Sequence, residues 1–270
     1  MKVKEINVGL SGVIPTSSYE NLKPSFSMTV EPEGEETAVQ CVTKIKDFLH
    51  QQFDMEVNKA RVDLIEKQYS NIRFREKDGK KYPSVTSITD WDKDWRITDD
   101  ELRQYAARGT IVHKLIEEYI KSKGVWPEPD MFPELKEDLI VLATGSLNLT
   151  WKSCSHIKFF EQFEKDFEWL EGEIEVFNEE HLYSGRFDAL VKYKGKLSLA
   201  DWKTGSSFSH SQTAAYAIAS GKKIESLIIC PVGVCPNKSG YFKPNITEDI
   251  KSNFRQFLKA RTKFRLRFGV

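Results

Sequence analysis

Residues 173–203 read EIEVFNEEHLYSGRFDALVKYKGKLSLADWK. Apolar and polar residues alternate in GEIEVFN, YSGRFDALVKY and KLSLADWK, with turn residues at Asn178–His181 and Lys194-Gly195, which predicts three consecutive strands. Two of these strands carry an aspartate inside an apolar run. Asp201 and Lys203 are two residues apart in KLSLADWK, hence on one face, and Asp188 interrupts RFDALV on the neighbouring strand. Ionisable groups in such strands are costly unless they are paired or bind metal. A tight turn between the strands can bring the two carboxylates together, and at close range they repel unless a cation lies between them. Asp-x-Lys alone carries no weight, since Asp78-Gly79-Lys80 and Asp249-Ile250-Lys251 repeat it in a turn and a helix. A buried Asp–Lys ion pair, with Asp188 as a strand-end carboxylate, accounts for the same pattern.

Downstream, a helix is expected from about Ser209 to Ser220, then a fourth strand, ESLIICPVGVC, then a closing helix from a Thr247 cap through Phe254, Leu258, Phe264 and Phe268. Upstream, residues 99–122 have helical periodicity through Leu102, Tyr105, Ile111, Leu115, Ile116 and Tyr119, capped at Thr98 or Asp99. Gly109 should split or bend that helix. After a proline-rich loop at Trp126–Pro133, two more helices are expected, the second being IKFFEQFEKDFEWL, whose Phe159, Phe163 and Phe167 form a core stripe. The N-terminal VKEINVGLSGVI, SFSMTVEPEGEE and TAVQCVTKIKDFLHQQF read as a small β-β-α unit. A hairpin turning at Asp78-Gly79 follows it, so the expected domains are an accessory unit, 1–66, and a larger one, 67–270.

The chain of 270 residues is 40% hydrophobic and 30% charged, a globular balance, and no apolar run nears the ~20 residues that cross a bilayer. Its opening has Glu5 among lysines and no apolar stretch, so a cytoplasmic location with four cysteines as thiols is expected. Net charge is zero, but residues 1–66 hold seven basic and eleven acidic residues, which leaves the rest basic. Lys251–Val270 has seven basic residues and no acidic one, so that helix either tracks a phosphate backbone or packs on the sheet with its charges in water.

His113, within RGTIVHKLIEEYI, has Glu117 one turn later on its helical face; alone it reads as a core histidine. It gains meaning from company. The order His113, Glu173, Gly185-x-x-Asp188, Asp201-x-Lys203, Gln212-Thr-Ala-Ala-Tyr216 resembles the RecB-type branch of the PD-(D/E)XK nuclease superfamily, close to single-domain exonucleases of phages and of mitochondrial genome maintenance. Tyr82-Pro83-Ser84-Val85-Thr86, followed by Trp91 and Trp95, is similar to the entry segment of those enzymes, and the resemblance covers about residues 70–225.

The resemblance implies a restriction-endonuclease-like α/β core: a mixed four-stranded sheet flanked by helices. It implies that His113, Asp188, Asp201 and the Trp202 backbone carbonyl bind a divalent metal, that Glu173 completes or supports the site, and that Lys203 orients and helps deprotonate the attacking water. Gln212 and Tyr216 mark a helix that positions the DNA strand. The implied activity is a metal-dependent DNA exonuclease of replication, recombination or repair. Phosphodiester hydrolysis adds negative charge to an anionic phosphate, so a hard cation with oxygen ligands and a nearby ammonium suit it. Mg²⁺ is the expected ion, and a histidine ligand admits Mn²⁺.

Some relatives hold an iron–sulfur cluster with one cysteine before and three after the nuclease motifs; Cys41, Cys154, Cys230 and Cys235 do not repeat that pattern, so no cluster is expected. Cys154-Ser-His156 lacks a second zinc-ligand pair. With no helicase P-loop, single-stranded DNA or free ends are the expected substrate, and Trp91, Trp95 and Trp202 are candidates to stack on bases. Residues 1–66 are a candidate dock for a single-strand-binding or annealing protein. The competing reading is a non-catalytic DNA-binding or scaffold protein on a degenerate nuclease fold; the presence of Asp188, Asp201 and Lys203 disfavours it.

Overall fold

The computed structural model describes residues 5–15, 21–32, 37–93, 97–205, 208–233 and 243–270. It divides into two units, Met1–Ile88 with Thr262–Val270, and Thr89–Arg261.

In the first unit the alternation near the N-terminus becomes a long hairpin. Strands β1 (Ile6–Ser11) and β4 (Ser25–Val30) pair antiparallel, with the short β2 (Ile14–Pro15) and β3 (Asn21–Leu22) paired beyond them. Every second residue, Ile6, Val8, Leu10, Phe26, Met28 and Val30, packs on Cys41, Ile45 and Leu49 of helix α1 (Ala38–Gln68). A Thr37/Gln40 capping box starts α1, which runs well past the expected Phe53. Strands β5 (Phe74–Lys77) and β6 (Lys80–Pro83) follow, and the backbone turns at Asp78 (φ 51°) and Gly79 (φ 73°), the left-handed pair that a two-residue hairpin needs. Lys81 ties this hairpin to Asp63 (3.2 Å) and Glu66 (2.9 Å) of α1. Helix α2 (Val85–Asp90) leads onward.

Helix α3 (Asp99–Lys121) opens the second unit's regular structure, with a Thr98/Glu101 capping box and three acids in its first turn. It is one element through Gly109, not two. Helices α4 (Lys136–Thr144) and α5 (His156–Phe163) precede strands β7 (Phe167–Asn178), β8 (Tyr183–Tyr193) and β9 (Lys196–Lys203). Helix α6 (His210–Ala219), strand β10 (Ser226–Pro231), strand β11 (Asn245–Thr247) and helix α7 (Ile250–Phe268) complete the chain. The sheet order is β11-β10-β9-β8-β7, with β9 and β10 parallel and the other pairs antiparallel.

The sheet therefore has five strands rather than the expected four. The addition is β11, a three-residue edge strand too short to show alternation. Helix α5 also stops at Phe163, and Phe167 begins β7, stacked on Trp169 and packed on Tyr193. The spacing of Phe159, Phe163 and Phe167 imitates a helix, but pairing with β8 claims Phe167. Thr247 belongs to β11, and Asp249 caps α7 by accepting from the Ser252 N–H at 3.1 Å. Trp202, 2% exposed, lies in the core with Phe159, Phe160 and Ile228, so it is not a base-stacking platform. Trp95 and Cys235 lie outside the described residues. Among the described residues no helix is long and apolar enough to cross a membrane.

Arg261, buried on α7, donates through Nε to the His181 carbonyl (2.9 Å) and through Nη2 to the Leu182 carbonyl (3.0 Å), holding the β7–β8 turn where Leu182 has φ 53°. Arg261→Ala should cost about 3 kcal/mol, since charged hydrogen bonds are lost and buried carbonyls are stranded. Arg261→Lys should recover only part, because an ammonium lacks the fork that reaches both carbonyls. Urea unfolding measures this; an unchanged midpoint for Arg261→Ala would refute it.

Candidate active site at the fork of the sheet

Strands β8 and β9 pair from Tyr193↔Lys196 to Ala189↔Ala200, and there the ladder stops. The next residues along the two strands are Asp188 and Asp201. Beyond that point β8 continues with β7 alone and β9 with β10, as far as Lys203↔Pro231. The sheet thus forks at the two aspartates, and backbone groups freed by the fork need new partners. The Trp202 N–H finds one by donating to Asp188 Oδ2 at 2.5 Å.

Asp188 Oδ1 lies 3.0 Å from His113 Nδ1, which comes from α3. Ile111, Val112, Leu115 and Ile116 anchor that helix, all fully buried, so the imidazole is delivered from a rigid support. Asp201 is 3% exposed, and Lys203 Nζ sits 2.7 Å from its Oδ2, the same-face pair that strand periodicity predicts. Apart from that ion contact, the buried Asp201 Oδ2 receives no hydrogen bond.

These groups set one another's protonation. Burial pushes the Asp188 carboxyl up, but His113, then Lys203 and the Trp202 N–H, outweigh it and hold it below the usual range. Asp201 goes the other way: burial raises it, Lys203 opposes, and the Asp188 charge helps keep it high. Burial lowers Lys203, yet attraction to Asp201 and Asp188 prevails and the amine stays protonated. Two carboxylates driven apart in affinity for protons is the pattern of a site with divided roles.

Glu173 falls between the pairs Gly172↔Ala189 and Ile174↔Phe187, so it stands opposite Asp188, in a left-handed backbone conformation (φ 53°). Its Oε2 bonds Arg186 Nε at 2.8 Å and the carboxylate lies within electrostatic reach of Asp188 and His113, while burial raises its affinity for protons. Gln212 and Tyr216 are four residues apart on α6 and largely buried. Gln212 Nε2 donates to Thr89 Oγ1 (2.6 Å), and Tyr216 stacks on Phe187 and lies within electrostatic reach of Lys203. Among the described residues no three His, Cys, Asp or Glu side chains are close enough to form a ready-made metal cage.

Sequence reasoning missed how the backbone after Lys203 is held. The Val232 N–H donates to the Lys203 carbonyl (2.9 Å), and buried Arg108 donates through Nη2 to the Thr204 carbonyl (3.2 Å). A Cβ on Gly233 would stand 2.2 Å from that carbonyl oxygen, and one on Gly109 would stand 3.4 Å from Thr204 Oγ1. Gly109 thus sits at ordinary contact distance from Thr204 and does not break the helix. A glycine kept inside a helix at a cost of about 1 kcal/mol was the available signal.

A family model described as the PD-(D/E)XK nuclease superfamily matches residues 87–260, and no curated protein matches the sequence. With most of the chain inside that match, the protein belongs to the PD-(D/E)XK nuclease superfamily.

Burial lowers His113, but the charge and hydrogen bond of Asp188 outweigh it and raise the imidazole above its ordinary value. In metal-free buffer, NMR titration should show His113 titrating above about 6.5, and Asp188→Asn should bring it below, where burial acts unopposed. A raised histidine contributes its full stability below the unfolded value and loses it as pH rises through the folded one. Stability in EDTA should therefore decline across that window for the wild type and not for Asp188→Asn. An imidazole that titrates alike in both proteins would refute the coupling.

Proposed function

We propose that this chain hydrolyses DNA phosphodiester bonds as a metal-dependent exonuclease, acting on single strands or free ends in replication, recombination or repair. Its membership of a nuclease superfamily supports hydrolysis and a nucleic-acid substrate. One observation carries the reading: where β8 and β9 part, the pairs His113–Asp188 and Lys203–Asp201 stand on adjacent strands at the end of the ladder.

The donor set fits a hard divalent cation, because it offers two carboxylates and an imidazole, and because the buried Asp201 Oδ2 has no hydrogen-bond partner besides the Lys203 ammonium. Asp188, Asp201 and His113, with the Trp202 carbonyl, would hold Mg²⁺, or Mn²⁺ in its place. Such an ion supplies Lewis-acid stabilisation of the attacked phosphate and acidifies a bound water. Lys203, 2.7 Å from Asp201, would orient the attacking water, help to deprotonate it and offer its ammonium to developing charge. Asp188, held ionised, keeps His113 oriented, and Glu173 supports the Asp188 side of the site from its pairing with Arg186. Gln212 and Tyr216 place α6 beside Lys203, where it orients the strand. Residues 1–66, the most acidic part of the chain, serve as an accessory dock for a single-strand-binding or annealing protein.

Asp188→Ala and Asp201→Ala should each lower cleavage of end-labelled DNA by roughly 10²-fold or more, and EDTA should abolish it. Lys203→Ala should reduce single-turnover rate far more than DNA affinity, since its charge matters most in the transition state. Cleavage that survives EDTA or both aspartate variants would overturn the assignment, and DNA binding with no cleavage in any metal would favour a non-catalytic scaffold.

Opening a base pair costs about 1.4 kcal/mol per step, and without a nucleotide-driven motor that cost falls on DNA contacts alone. One labelled sequence offered as single strand, overhang duplex and blunt duplex should be degraded in that order. Faster loss of the blunt duplex would point to a ring-forming double-strand exonuclease.

A further inference from the structure

Lys251, Arg255, Lys259 and Lys263 follow one another at four-residue intervals along α7, about 6 Å per step on the helix axis. All four are exposed, while Phe257, Arg261 and Phe264 bury the opposite face. No acidic residue occurs from Lys251 to Val270. Among the described residues none of the four has an anionic partner. Lys192, Lys196 and Lys222, by contrast, each sit against a glutamate, so what distinguishes α7 is that its unpaired cations line up on one face. The helix itself gains nothing from this arrangement at its start. Its first turn has no acid, and the cation at Lys251 opposes the helix dipole, unlike Arg265 and Arg267 in the last turn, which complement it.

From this unneutralised ridge we propose a second nucleic-acid contact, in which α7 grips the phosphate backbone independently of the groups at the fork. DNA as the partner rests on the nuclease reading; the contact itself needs no turnover. A lipid surface fits poorly, because the apolar face that would enter it is buried in the protein. A protein partner fits poorly as well, because interface centres are built on apolar or aromatic anchors, and between Lys251 and Lys263 the exposed residues are cations, a glutamine and a threonine. Phosphates ask for nothing else.

The test measures binding of labelled oligothymidylate in EDTA, by fluorescence anisotropy, between about 50 and about 200 mM salt. Replacing Lys251, Arg255 and Lys259 together by Gln should flatten the log Kd against log salt slope by about 2, at ~0.7 per lost contact. Replacing the glutamate-paired Lys192, Lys196 and Lys222 by Gln, an equal loss of charge, should leave the slope nearly unchanged. The charge-conserving set Lys251→Arg, Arg255→Lys, Lys259→Arg should restore it, which separates lost charge from lost folding. Single-turnover cleavage of a short saturating oligonucleotide should be the same in all three. An unchanged slope, an equal fall in the control set, or loss confined to binding of anionic phosphatidylserine vesicles would each overturn the proposal. A wild type that binds with this slope but never cleaves would defeat the nuclease reading and leave the ridge standing.

Discussion

Asp188 and Asp201 stand next to each other on adjacent strands with little water around them, and at that range their repulsion must be offset inside the protein. The second unit of the chain is arranged around that requirement. The imidazole of His113, the ammonium of Lys203 and the Trp202 N–H each supply positive charge or a donor to one of the two carboxylates. None of them is sufficient alone. Asp188 receives the imidazole and the N–H and stays ionised, whereas Asp201 has only the ammonium and is left short of partners.

The offset works only if its parts cannot drift. The His113 backbone belongs to a helix whose apolar side is fully buried, so the imidazole reaches Asp188 from a fixed position. Lys203 is the last residue of β9, where a strand end would ordinarily fray. Instead, Val232 holds its carbonyl, Arg108 holds the next one, and Gly233, lacking a side chain, lets its backbone close on Thr204. Rigid support around a charged site is what allows electrostatic stabilisation without reorganisation during a reaction.

Charge outside the site obeys another logic. Several surface lysines, among them Lys114, Lys192 and Lys196, pair with a carboxylate in geometry that contributes little to stability and leaves little field beyond the pair. The α7 ridge is the contrast. Its cations are exposed and unneutralised, and the overall charge of zero conceals them until the helix places them on one side.

Local periodicity made much of this legible in the residues themselves. Strand alternation put Asp201 and Lys203 on one face, Asp78-Gly79 and Lys194-Gly195 announced two-residue turns, and a cap at Thr98 or Asp99 announced the start of α3. Each of these depends on neighbours within a few positions, so a linear reading captures it. Only the tertiary structure decided where the β8–β9 ladder ends, that His113 meets a partner 75 residues away, and that Glu173 pairs with Arg186. The same holds for Phe167, drawn from an apparent helical stripe into β7, and for β11, which exists because β10 offers it an edge. Those outcomes are settled by competition among long-range pairings and by burial, and neither leaves a period in the chain.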